Sequence, residues 1–182
     1  MNLSMISNFP VCLEHRINKW GVFMKLYMKQ KVFSWTDKFH IADEHGNTRY
    51  YVEGELFSWG KKLHIYNHTG QEVSFIRQKI MSWLPRYFIE INGIVVATIV
   101  KDFTFLRPSY HVEGLTWQMK GDFWAQNYVM HDNQYEIMRL SKAWFTWGDS
   151  YELEIFDPQN EILCLSVALA VDCAVAQSQN NQ

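Results

Sequence analysis

The chain has 182 residues and a mass of 21.7 kDa, about the size of one domain. Hydrophobic residues at 48% against 20% charged exclude a disordered chain. A formal charge of −2 and a pI near 6.4 argue against a generic nucleic-acid binder. Aromatic residues make up 16%, which suits strands, because flat rings pack well on a pleated surface.

Residues 1–23 are mildly apolar, but no Lys or Arg precedes Arg16 and no long apolar run follows, so a signal peptide is not expected. From there the chain reads as short strands separated by polar turns. Phe39 and Ile41 lead into Asp43-Glu44-His45-Gly46-Asn47 and out to Tyr50-Tyr51-Val52. Leu63 and Ile65, then Asn67-His68-Thr69-Gly70, then Val73 and Phe75 repeat the scheme. Asn92-Gly93 is the strongest hairpin signal, since both residues tolerate positive φ. Further turns are expected at His131-Asp132-Asn133 and at Asp157-Pro158-Gln159-Asn160.

The second half echoes the first. Val52-Glu53-Gly54 returns as Val112-Glu113-Gly114, Phe75-Ile76-Arg77 as Ile137-Met138-Arg139, and Phe88–Ile91 as Tyr151–Glu154. A sheet built twice tends to close on itself, because closure removes unpaired edges.

Glu161–Ala176 breaks the alternation and gains alanine. As a helix it is apolar on all sides and must be surrounded by protein or lipid. Sixteen residues rise about 24 Å, near the height of a small barrel. A β-barrel with a helix through its middle follows. The competing readings are one more strand through Val167 and a membrane tail anchor, which the run's length and Asp172 disfavour. A carboxylate at Asp172 needs a cap or a barrel-wall donor such as Lys, Arg or Trp, so it is expected to be a buried structural anchor. On such a helix Cys164 and Cys173 lie on opposite faces, roughly 13 Å apart along the axis. Reduced thiols in a cytosolic protein are the reading.

Several blocks carry a family resemblance: Met28–Trp35, Phe57-Ser58-Trp59-Gly60-Lys61-Lys62-Leu63, Ile76-Arg77-Gln78-Lys79, Ser141–Tyr151 and the apolar tail with Asp172. Together they resemble the LURP-one-related (LOR) family, whose fold is like the tubby C-terminal domain and the phospholipid scramblases. The resemblance implies an all-β closed barrel of about twelve strands around a buried hydrophobic C-terminal helix. It sets one domain over 24–176, with 1–23 as an N-terminal extension expected to be disordered and 177–182 as a polar tail. It also implies an association with membranes, peripheral and cytoplasmic, since tubby-like domains bind phosphoinositide headgroups. No headgroup-binding residue of that fold is carried over to this chain.

No nucleotide-binding, zinc-hydrolase or serine-hydrolase motif is present, so no catalytic residue and no cofactor are expected. His64 and His68 have no cysteine pair nearby, and a metal is not expected. Glu152 and Glu154 share a strand face and read as solvent-facing. The basic residues Lys61, Lys62, Arg77 and Lys79 are the candidates for an anionic phospholipid headgroup, with Trp35, Trp59 and Trp83 placed to enter a lipid interface. Solvated strand edges and core aromatics are the plainer account of the same residues. The function expected is a non-enzymatic module for an anionic lipid or a protein partner. A small-ligand carrier or enzyme with a pocket at one barrel end is the alternative.

Overall fold

The computed structural model describes residues 24–29, 38–55, 58–104, 109–143 and 150–180. The proposed extension 1–23, and with it Cys12, lies outside them, as do Trp35, Trp144 and Trp147. Twelve strands form one antiparallel sheet: β1 (Met24–Lys29), β2 (Phe39–Asp43), β3 (Thr48–Gly54), β4 (Lys62–Asn67), β5 (Glu72–Gln78), β6 (Arg86–Ile91), β7 (Ile94–Lys101), β8 (Tyr110–Glu113), β9 (Trp117–Asp122), β10 (Asn127–Asp132), β11 (Tyr135–Ala143) and β12 (Ser150–Ile155). Among the described residues neighbours in sequence pair, β1 also pairs with β12, and the ladder is interrupted only between β8 and β9. The sheet is thus a nearly closed barrel, as the sequence reading expects.

Each strand alternates. In β3, Tyr50 and Val52 are buried between outward Arg49, Tyr51 and Glu53. Leu153 and Ile155 point inward with no exposed surface, while Glu152 and Glu154 lie outside under Lys25, at 2.8 and 3.2 Å. Register slips occur in the β2–β3, β4–β5, β6–β7 and β10–β11 hairpins. Bulges of this kind sharpen the local twist, and all four sit in hairpins that turn at the same end of the barrel.

The interior is filled by α1 (Glu161–Asn180), about 30 Å long. Cys164, Leu165, Ser166, Val167, Ala168, Leu169, Ala170 and Val171 are all essentially without exposed surface, so no face of this stretch meets water. Alanines at 168, 170 and 174 keep the cylinder narrow enough for the wall to close around it. Cys164 and Cys173 are both free and buried. The helix has the length and composition of a membrane span, but the strands wrap it. Asp157–Asn160 closes no further hairpin. Asp157 instead caps a 3₁₀ turn, Pro158–Asn160, accepting the Gln159 N–H at 3.0 Å and launching the helix. Glu161 then takes a bidentate pair from Arg49 (3.1 and 3.2 Å) and the Tyr50 hydroxyl at 2.5 Å, which pins the helix start to β3.

The internal echo holds for one of its matches: Ile76 of β5 and Met138 of β11 face inward while Arg77 and Arg139 face outward, six strands apart. The match of Phe88–Ile91 to Tyr151–Glu154 is out of step, because Ile89 is buried where Glu152 lies outside. The Val-Glu-Gly echo joins β3 to β8, five apart.

The tightest backbone contact is at Gly121, whose φ of +144° already excludes most side chains. A Cβ there would collide with the Asn127 carbonyl and Tyr128 Cα, and sit 2.7 Å from Tyr128 Cβ. Gly46, with φ +80°, faces open space. Gly121→Ala is expected to cost more than about 3 kcal/mol in urea unfolding, against about 1 kcal/mol for Gly46→Ala. Equal costs would show that the β9–β10 pair has room to give.

Candidate functional site

The two barrel ends differ. Hairpins at the end where α1 begins turn in two to four residues. Connections at the other end, which receives the helix C-terminus, take four to nine residues. The short end is the turn end and the other the loop end.

The loop end holds the interior polar groups. Asp172 accepts a hydrogen bond from Gln126 Nε2, and Gln126 sits in the β9–β10 connection at φ +49°. That left-handed backbone is uncommon for a residue other than glycine and turns its side chain to the helix. Tyr87 donates to Gln177 Oε1 at 3.0 Å and to the Cys173 carbonyl at 3.4 Å, and Tyr110 meets Ser178 at 3.4 Å. Gln177 and Ser178, read from sequence as the start of a polar tail, therefore continue the helix, because tyrosine hydroxyls inside the wall satisfy them. The Tyr128 hydroxyl is buried with no hydrogen-bond partner beside Asp172.

Asp172 keeps some accessible surface although protein surrounds its carboxyl. Desolvation holds its pKa well above the ordinary carboxylate value, and the Lys61 charge opposes this only partly. Desolvation likewise lowers Lys61 to about 8, against the pull of Cys173 and Asp172. Asp172 is thus an interior carboxyl held by a hydrogen bond, with the Lys61 charge acting on it from the wall. Its direct donor is an amide from a turn, Gln126, which no pattern in the sequence marks.

The four candidate cations do not form one patch. Period two sends Lys61 inward with Leu63 and Ile65, and Lys62 outward with His64. Lys62 and Arg77 face each other across β4 and β5 on the outer surface. Lys62 pairs with Glu55 at 2.8 Å and Arg77 with Glu90 at 2.5 Å. Lys79 is exposed in the next connection. His64 belongs to this outer face, its ring nitrogens 2.6 and 3.1 Å from Glu72 and Glu55, and stacks on Phe75. His111 is an outward strand residue held by Asp102 at 2.5 Å. Among the described residues no cluster of His, Cys, Asp and Glu is arranged to hold a metal.

A LURP-one-related model matches residues 24–172, most of the chain. The chain belongs to the LURP-one-related family. It is 37% identical over 157 residues to "Uncharacterized protein YxjI" of Bacillus subtilis (strain 168), covering 86% of this chain and 97% of that protein. An X-ray structure of an Arabidopsis thaliana protein shares the fold, with a TM-score of 0.55 at 14% identity over 82% of this chain and 90% of that one.

In this LURP-one-related barrel the loop end also carries most of the bare apolar surface. Trp59 (85% exposed), Ile80, Met81 (99%), Trp83, Phe103 and Trp124 all lie in its connections. Trp59 and Trp83 are therefore not core aromatics. Charge is divided between the ends as well. Asp43, Glu44, Glu72, Asp132, Asp157 and Glu161 crowd the turn end, with the cations Arg49 and Lys25 among them. Lys38, Lys61, Lys62, Lys79, Arg86 and Lys101 lie at the loop end, against Glu53, Glu55, Asp102, Glu113 and Asp122, of which Glu53 pairs with Lys38 at 2.7 Å, Glu55 with Lys62 and Glu113 with Arg86 at 2.9 Å.

Because Lys61 binds its proton less tightly folded than unfolded, the unfolded chain holds more protons between the folded value near 8 and the ordinary 10.5. Stability contributed by this residue therefore rises as pH increases through that window. The difference in stability between wild type and Lys61→Met is expected to change in that direction from pH 7.5 to 9.5, read by urea titration. A difference that does not move with pH would place the ammonium in water.

Proposed function

We propose that the protein is a non-enzymatic module that binds anionic phospholipid headgroups with the basic residues of its loop end. The observation that carries this reading is the division of charge between the ends, which a formal charge of −2 conceals. An anionic surface attracts the loop end and repels the turn end, so the barrel approaches it in one orientation. Of the four cations singled out from sequence, Lys62 and Lys79 are the ones offered to such a surface. Lys62 exchanges an exposed carboxylate for a phosphate at little cost. Arg77 is committed to Glu90 and Phe88, and Lys61 to the interior.

Co-sedimentation with vesicles tests the reading. Binding is expected with phosphatidylserine or phosphoinositide vesicles, not with neutral phosphatidylcholine, and is expected to weaken between low and physiological salt. Each basic residue near such a surface contributes about 1 kcal/mol, so the Lys62→Ala and Lys79→Ala variants should each bind roughly fivefold more weakly. Equal binding to neutral vesicles, or none to anionic ones, would refute the proposal. In the second case a protein partner becomes the reading to pursue.

A further inference from the structure

The connections at the loop end form one platform rather than separate strings. The Lys61 N–H donates to Gln78 Oε1 at 3.0 Å, and the Gln78 N–H returns to the Lys61 carbonyl at 2.7 Å. The β3–β4 and β5–β6 connections are joined there, and Ile80 lies 3.3 Å from where a Cβ on Gly60 would stand. The Lys101 N–H donates to the Pro85 carbonyl at 3.0 Å, which ties the β7–β8 connection to the same platform. Trp59, Ile80, Met81, Trp83 and Phe103 therefore share a support braced by backbone hydrogen bonds. Met81 holds φ +58°, a conformation costly for an unbranched apolar residue and one that glycine or asparagine would adopt freely. The chain bears that cost to display a thioether side chain almost wholly in water.

We propose that this platform inserts into the interfacial layer of a bilayer, with Trp59, Met81 and Trp83 below the headgroups and the barrel standing on its loop end. The inference rests on the anionic-lipid reading and adds to it the inserted residues and the orientation. Charge complementarity selects a lipid surface over a protein: Lys62, Lys79 and Lys101 lie in or beside the connections that carry the apolar tips, at the same end. A bilayer offers the same pairing, phosphates just outside an interfacial zone that favours indole rings.

Two readouts test it. Trp fluorescence is expected to be quenched by vesicles of brominated phosphatidylserine, and Trp83→Phe with Trp59→Phe should remove much of the quenching. The triple variant Trp59→Ser, Met81→Ser, Trp83→Ser should bind anionic vesicles at least about tenfold more weakly at physiological salt. Its melting temperature should be unchanged, since these side chains are exposed. Ile94→Ser, exposed at the turn end, should leave binding unchanged. Wild-type binding by the triple variant, with the lysine variants still impaired, would overturn insertion and leave headgroup binding standing. Absence of wild-type binding to anionic vesicles would overturn both.

Discussion

The structure depends on one constraint: a helix apolar on every side cannot face water. From Cys164 to Val171 consecutive residues are sealed, so no rotation of the helix about its axis leaves an acceptable solvent face. A sheet packed on one side would cover half of it. Only a sheet that bends all the way round removes the rest from water, and the strand bulges near the turn end supply that bending. The helix in turn fills a lumen that twelve strands would otherwise leave open. Barrel and helix therefore need each other, and their two ends are fastened differently. Arg49 and Tyr50 hold Glu161 at the start, while tyrosine hydroxyls, Gln126 and Lys61 meet the last turns.

The axis of the barrel is occupied by the helix backbone, and Asp172 and Gln126 bond to one another with the unpartnered Tyr128 hydroxyl beside them. What the fold offers to the outside is its rim. Tight turns make the turn end short and acidic, and longer connections make the loop end broad, apolar at its tips and basic behind them. A barrel closed except between β8 and β9 has chiefly its wall and its two ends for recognition, and the ends are where this chain is most asymmetric.

Much of the fold was legible in the residues. Asn92-Gly93 turns with φ of +53° and +74°, as the hairpin signal requires, and Glu161–Ala176 is helical because alanine replaces alternation. The helix runs four residues past Ala176, where the sequence suggests a polar tail, because Gln177 and Ser178 look like solvent-facing residues. Only tertiary contacts with Tyr87 and Tyr110 make them interior. The Asp157–Asn160 turn was visible, but whether a strand or a helix follows depends on what the next segment packs against. The Lys61-Lys62 pair reads as one basic spot. A pleated strand splits it between inside and outside, and only knowing which neighbours are buried shows which lysine goes where. The partition of charge between ends is invisible in a linear sequence, since it emerges from the alternation of up and down strands. Gln126 as the partner of Asp172 had no signal at all.

The central claim is that the loop end is the working surface, and hydrogen exchange in the presence of vesicles addresses it most directly. Peptides covering 58–62 and 79–86 should gain protection when phosphatidylserine vesicles are added, while those covering 43–48, 92–95 and 131–135 at the turn end should not change. Protection appearing at the turn end, or spread evenly along the wall, would contradict the account.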